Sequence, residues 1–148
     1  MTTDELVNSI TSREISQVRN SACEIINSSQ NTEIIFPLIN HLNEIIEKTK
    51  NLDLGGAFAP NIRFAEYAIR IIEFHKNNTN CSCELYLDKY ECNDPKKETE
   101  KGNIKIENTV KIDNNWIDYY LSKCSKCGQE FKIFEREYHY TWWEWHKI

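Results

Sequence analysis

Residues 116–137 read WIDYYLSKCSKCGQEFKIFERE, a Cys-Ser-Lys-Cys-Gly turn between two segments rich in aromatic and aliphatic residues. Tyr, Phe and Ile favour β-strands, so we expect strands at 116–124 and 130–141. Two cysteines separated by two residues can bind one metal ion from a tight turn, and Gly128 relieves that turn sterically. This stretch therefore predicts two antiparallel strands joined by half of a metal site.

Two further strands are predicted upstream of this stretch. At 104–112, apolar residues alternate with charged residues, which is typical of a strand with one solvated face. Residues 81–90 form another candidate strand. The charged segment 93–102 contains Pro95 and indicates an exposed loop. The C-terminal half therefore predicts a meander of antiparallel strands.

The first 76 residues follow a helical period instead. Apolar residues recur three and four positions apart, which predicts three helices, each with one buried face. Asp4 and Glu5 suit the start of the first helix, and Asn31 or Thr32 can cap the second. The third helix follows Pro60 and ends at the Asn-rich run 77–80. The stripes are Leu6, Ile10, Val18, Ala22, Ile25 and Ile26, then Ile35, Leu38, Ile39, Leu42, Ile45 and Ile46, then Ile62, Ala65, Ala68, Ile69 and Ile72.

Gly55 and Gly56 lie between the second and third predicted helices. We interpret the pair as a helix C-cap with a positive backbone angle. A phosphate-binding loop is the alternative, but no predicted strand precedes the pair and no Gly-Lys-Ser/Thr follows it.

Helices followed by one antiparallel sheet give an α+β fold. We expect a single domain over residues 1–148, in which an N-terminal three-helix segment packs on a C-terminal antiparallel sheet stapled by a four-cysteine zinc site. The helical part spans 1–77 and the zinc-stapled β part spans 78–148.

The chain contains six cysteines, and four of them form the predicted zinc site. Cys124 and Cys127 supply two ligands, and Cys81 and Cys83 supply the other two. Four thiolates leave no open coordination position, so the zinc would be structural. Cys92 competes for a ligand position and is treated as a spare, and Cys23 is interpreted as a small buried residue within a helix. Unliganded thiols, or a redox pair of Cys124 and Cys127, are the alternatives.

The charge balance narrows the classes of partner. There are 23 acidic and 18 basic residues, which gives a formal net charge of -5. A general nucleic-acid binder usually presents a basic surface, so we expect no direct nucleic-acid binding and favour a basic partner. No apolar run approaches the roughly 18 to 20 residues of a membrane span, so no membrane association is expected.

The first residues of the sequence bear on the cellular compartment of the protein. Residues 1–5 lack the basic and apolar regions of a secretory signal, so we expect a cytoplasmic protein. In a reducing compartment, clustered cysteines favour metal binding over disulfides.

The C-terminal residues 137–146, EYHYTWWEWH, concentrate aromatic side chains. We interpret them as the end of a strand that closes the sheet, with a protein-binding surface as the alternative. An enzyme would need a general base with a partner, and His139 with Glu135 or Glu137 is the best available arrangement. No nucleophile motif accompanies it, so we expect a non-catalytic protein and no catalytic residue.

Several of these features together resemble small bacterial immunity proteins of contact-dependent growth inhibition and related polymorphic toxin systems. The resemblance rests on Leu54-Gly55-Gly56-Ala57-Phe58 with Pro60-Asn61, on Cys81-x-Cys83 with Leu85-Tyr86, on Cys124-x-x-Cys127, and on residues 138–143.

The resemblance implies a cytoplasmic, non-catalytic protein that binds one cognate toxin domain and neutralises it. Many such toxins are basic nucleases, and an acidic inhibitor is attracted to a basic enzyme. A zinc-ribbon nucleic-acid-binding or regulatory module is the alternative function.

Overall fold

The computed structural model describes residues 1–56, 61–88 and 93–148. The chain divides into two compact units, Met1–Ser82 and Cys83–Ile148. Most helices lie in the first unit and a four-stranded antiparallel sheet lies in the second, so the α+β prediction is confirmed. No helix in the described parts of the chain is both long and apolar enough to cross a membrane.

The described residues of the first unit form five α-helices, where three were predicted. A short 3₁₀ turn, Ile39–His41, joins two of them. The α-helices are α1 (Thr3–Ile10), α2 (Ile15–Asn27), α3 (Thr32–Leu38), α4 (Leu42–Thr49) and α5 (Ile62–Asn77).

The first predicted helix divides into α1 and α2 around Arg13, whose φ of 59° no α-helix accommodates. Thr2 caps α1 in a capping box with Glu5. All six apolar residues of the predicted stripe are nevertheless buried, because the two helices keep their apolar faces on the same core.

The second predicted helix divides into α3 and α4. Pro37 lies inside α3 and has no amide hydrogen to donate to the preceding turn, and the 3₁₀ turn begins two residues later. The apolar stripe continues across this irregularity: Ile35, Leu38, Leu42 and Ile45 are buried, and the other two predicted members, Ile39 and Ile46, are half-buried. Sequence periodicity therefore identified the buried face correctly but not the break.

Gly55 and Gly56 have positive φ angles of 75° and 126°, as expected. The C-cap interpretation is wrong, however, because α4 ends at Thr49 and its C-cap residue is Lys50. The Asn61 backbone amide instead donates to the Gly55 carbonyl oxygen at 2.6 Å. Residues 57–60, which carry part of the predicted motif, lie outside the described residues.

The second unit holds the sheet, with strands in the order β1-β2-β3-β4, all antiparallel. The strands are β1 (Ile104–Ile112), β2 (Trp116–Cys124), β3 (Glu130–Glu137) and β4 (Thr141–Lys147). The predicted strand 130–141 is therefore wrong as a single strand, because residues 138–140 form a turn that reverses the chain. No Gly, Pro or Asn marks this turn, which hid it from sequence analysis.

Two predictions before β1 are also wrong. Residues 82–87 of the expected strand 81–90 form a 3₁₀ helix, and 89–92 lie outside the described residues. Within the expected exposed loop 93–102, Pro95–Glu100 forms a short helix, α6. Asp94 caps α6 and Pro95 begins it, which is where proline is favoured.

Aromatic packing builds the core of the second unit. The rings of Tyr86 and Trp145 stack at 4.1 Å between centroids, and Phe131 meets Tyr86 and Trp145 edge-on at 6.1 Å and 5.5 Å. The Trp145 indole N–H donates to the Asn93 carbonyl oxygen at 2.9 Å. The 3₁₀ helix is thus held against β3 and β4 by its tyrosine.

The strand register places the β2–β3 turn, which carries the cysteines, at the opposite end of the sheet from the β1–β2 and β3–β4 turns. Ile104 pairs with Cys124 at one end, and Ile112 pairs with Trp116 at the other. The β3–β4 turn follows the Glu137–Thr141 pair at the same end as Trp116. The Cys-Ser-Lys-Cys turn therefore lies at the end of the sheet away from the other two hairpin turns.

Candidate metal centre

The structure brings together all four cysteines that the sequence predicted as ligands. The Sγ atoms of Cys81, Cys83, Cys124 and Cys127 lie within 4.8 Å of one another. Four sulfur atoms placed about 2.3 Å from a tetrahedral zinc ion would be about 3.8 Å apart. The Cys83 and Cys127 Sγ atoms are 3.6 Å apart, close to that value and far from a disulfide bond length of about 2.0 Å. This arrangement fits a tetrahedral metal ion.

The β2–β3 turn supplies two of these thiols. The Gly128 amide donates to the Cys124 carbonyl oxygen at 3.0 Å, and the Lys126 amide donates to the Cys124 Sγ at 3.4 Å. Gly128 has a φ of 79°, which favours glycine over any other residue, although a Cβ there would meet no neighbour within 4 Å. The turn therefore brings both thiols into the cluster, and the Cys124 sulfur accepts a hydrogen bond from the backbone of the turn itself.

Cys81 and Cys83 flank a serine that is itself anchored. The Gln30 side-chain amide donates to the Ser82 carbonyl oxygen at 3.0 Å, and the Ser82 hydroxyl donates to the Gln30 side-chain oxygen at 2.6 Å. Gln30 and Ser82 are both buried. This pair fixes the backbone between the two cysteines, and sequence reasoning missed it because no local pattern links positions so far apart.

Burial and coordination chemistry indicate a closed site. Cys83 and Cys124 are buried, Cys81 is half-buried and Cys127 is exposed. Four thiolates complete a tetrahedral coordination sphere, so no position remains for water or substrate. Such a site contributes folding energy rather than chemistry.

The two remaining cysteines lie outside this cluster or outside the described residues. Cys23 in α2 is half-buried rather than fully buried as predicted, and this burial raises the pKa of its thiol, which makes the thiol less reactive. Cys92, the predicted spare ligand, lies outside the described residues.

A buried acid supports the segment next to the site. Glu98 of α6 is 5% exposed and accepts hydrogen bonds from the Tyr86 hydroxyl and, at 2.8 Å, from the Asn103 side chain. Burial, followed by the nearby Glu98 carboxylate, raises the pKa of Tyr86 far above its ordinary range, so the phenol remains a donor. No sequence pattern indicated the role of Glu98, because segment 93–102 resembles an exposed loop.

Glu135, considered above as a partner of His139, accepts hydrogen bonds within the sheet. The Glu135 Oε1 atom accepts from the Tyr120 hydroxyl and from the Trp143 indole N–H, each at 3.0 Å. Burial and this hydrogen bond raise the pKa of Tyr120. His139 lies in the exposed β3–β4 turn, with its ring 4.1 Å from that of Tyr138. Glu135 therefore ties β2 to β4.

Comparison with protein-family models, curated proteins and solved structures finds no match for this chain.

Proposed function

We propose that the four-cysteine site holds a structural zinc ion and that the chain is a non-catalytic protein that binds a basic protein partner. The observation that carries the metal part is the set of four Sγ atoms within 4.8 Å of one another. Thiolate ligands in tetrahedral geometry favour zinc, and a fourth thiolate removes the position that a catalytic zinc keeps open.

Metal analysis tests the zinc proposal directly. Protein purified without chelator should contain about one zinc ion per chain, as a single tetrahedral site requires. Cobalt(II) in place of zinc should give the visible absorption of a tetrahedral thiolate site. Metal-free protein with four titratable thiols in the cluster would overturn the proposal.

The specific partner that we propose is the catalytic domain of a cognate bacterial toxin, a nuclease, which the chain binds and neutralises as an immunity protein. The resemblance to immunity proteins suggests this role. The net charge of -5 supports it, because an acidic inhibitor is attracted to the phosphate-binding surface of a basic nuclease.

Co-expression provides the test of this role. The protein encoded by the reading frame directly upstream is expressed alone and together with this chain. We expect growth arrest alone, normal growth together, and a complex that survives gel filtration. Continued growth arrest in the presence of the folded, metal-loaded chain would contradict the immunity role.

The alternative function is a zinc ribbon that binds nucleic acid. A binding assay with the same purified protein distinguishes it from the immunity role. Binding of labelled RNA or DNA that weakens steeply with salt would favour that alternative, because phosphate contacts release counterions. The acidic charge leads us to expect no such binding.

A further inference from the structure

A groove opens in the sheet at the end away from the cysteine turn. The β2–β3 ladder runs from the Tyr119–Phe134 pair to the Lys123–Glu130 pair. Strand β2 begins earlier, at Trp116, and β3 continues further, to Glu137. Residues 116–118 and 135–137 therefore lie beyond the ladder and line a groove of about 660 Å³, which we call the split-strand groove. Its volume lies within the range of about 300–1,000 Å³ typical of ligand sites.

Arg136 holds the base of the split-strand groove. Its Nη1 atom donates to the carbonyl oxygens of Asp118 at 2.9 Å and Glu135 at 2.8 Å, which bridges the two strands where the ladder has ended. The same atom lies 3.1 Å from the Asp118 Oδ1 atom. The guanidinium is thus committed to the fold, and its charge is opposed by Asp118.

The rim of the split-strand groove is apolar and exposed. Trp116 is 67% exposed, Tyr138 is 79% exposed and Ile112 is 51% exposed, and all three line the groove. Exposed side chains of this size contribute little to folding. Trp and Tyr are the residues most enriched where protein partners bind tightly.

The charge of the groove selects a basic occupant. Among the described residues, its lining contains the three acids Asp118, Glu135 and Glu137 and the one base Arg136. Asp118 faces Arg136, and Glu135 accepts hydrogen bonds from Tyr120 and Trp143, so the exposed Glu137 carboxylate is the acid best placed to meet a ligand. A groove with excess negative charge and aromatic walls complements a cationic side chain next to an apolar one.

We propose that the split-strand groove binds an extended segment of the protein partner, in which a lysine or arginine meets Glu137 and an adjacent apolar side chain packs on Trp116. This inference rests on the proposed function, which makes the partner a basic protein. It adds the surface and the chemistry of the segment that is recognised.

A peptide library tests the recognised chemistry. The probe is a set of immobilised heptapeptides with Lys or Arg at the centre and Leu or Phe beside it, and the control set carries Glu at the centre. We expect the zinc-loaded chain to bind the basic set at least about tenfold better, which corresponds to about 1.4 kcal/mol. Equal binding to both sets, or no binding to either, would overturn the inference.

Matched variants locate the binding surface. Trp116→Ala and Glu137→Lys should each reduce binding to the basic peptides at least about tenfold. Glu100→Lys, an exposed acid at the end of α6, makes the same charge change outside the groove and should retain binding. If Trp116→Ala unfolds the sheet, the binding of the Glu137→Lys variant alone tests whether the groove is the binding surface. Full binding by a folded Glu137→Lys variant would contradict the inference.

Binding of the upstream-encoded protein to wild type and to the two groove variants tests this inference independently of the proposed function. If it binds wild type, Trp116→Ala and Glu137→Lys equally, the groove inference fails while the function stands. If it does not bind but the basic peptides require Trp116 and Glu137, the toxin-binding role fails while the groove stands.

Discussion

The four cysteines of the cluster differ in exposure, since Cys83 and Cys124 are buried, Cys81 is half-buried and Cys127 is exposed. Cys83 is 2% exposed and its Sγ lies 3.6 Å from that of Cys127. Removing one thiolate from a tetrahedral site leaves three ligands and opens the coordination sphere. Individual side chains therefore control whether the metal site is complete.

Cys83→Ser should abolish stoichiometric zinc binding, because a hydroxyl is a much weaker zinc ligand than a thiolate. Zinc per chain, measured by mass spectrometry after gel filtration, should fall from about one to a small fraction. Cys23→Ser is the matched control, since Cys23 lies in α2 outside the cluster, and it should retain the metal. Full zinc content in Cys83→Ser would argue against the site.

Glu98→Ala should destabilise the chain by about 1–3 kcal/mol, because it leaves the Tyr86 hydroxyl and the Asn103 amide without their acceptor. Urea unfolding measures the difference from wild type. Glu100→Ala, two residues further along the same helix and exposed, should change the free energy by no more than about 0.5 kcal/mol. Equal effects of the two substitutions would contradict a structural role for Glu98.

At the level of helices and strands, periodicity predicted which faces are buried better than it predicted where elements break. Leu38 and Leu42 stay on one buried face even though a 3₁₀ turn separates them. The hairpin turn at 138–140 consists of Tyr-His-Tyr, in which the tyrosines favour strands and no residue is a typical turn former, so no local signal marked it. The β1–β2 pairing also shifts register twice, at Glu107 of β1 and at Asp118 of β2, which the regular alternation of β1 did not indicate.

The clustering of the four cysteines was more predictable than the elements that carry them. The spacing of Cys124 and Cys127 identifies a turn from a few neighbouring residues, which is a local property. Cys81 and Cys83 were expected on a strand and lie instead at a 3₁₀ helix, because the burial of Leu85 and Tyr86 depends on distant residues such as Trp145. The sequence spacing of the cysteines predicted the cluster even though the strand prediction was wrong. That spacing depends on the positions of the ligands rather than on strand geometry.

Asn31→Ala tests the start of α3. The Asn31 side chain accepts from the Glu33 amide, so its loss should cost about 1 kcal/mol of unfolding free energy. Asn31→Asp should retain most of the stability, because aspartate caps equally well. The control is Asn43→Ala on the exposed face of α4, which should be neutral or slightly stabilising. A loss from Asn43→Ala as large as that from Asn31→Ala would contradict the capping role.

Across the whole chain, metal binding and folding are expected to be coupled. Cys83 and Cys127 lie 44 positions apart, so an ion bound by both closes a long loop and reduces the entropy of the unfolded chain. Binding free energy at such a site is available to folding, and it falls at acidic pH as thiolates become protonated.

Removal of zinc by a strong chelator at neutral pH should lower the melting temperature of the protein. Hydrogen exchange should show the largest loss of protection in residues 82–87 and in the β2–β3 turn, with much smaller loss in α5. Readdition of zinc should restore protection. A metal-free chain with unchanged exchange in both segments would show that the site does not support the fold.

The separation of the cysteine turn from the split-strand groove has an evolutionary consequence. Substitutions at exposed groove positions such as Trp116 and Tyr138 should affect stability little, whereas changes at Cys83, Gln30 or Glu98 would remove buried contacts. Selection could therefore diversify recognition without rebuilding the scaffold. Among related chains, we expect rapid divergence at the groove alongside strong constraint around the cysteines.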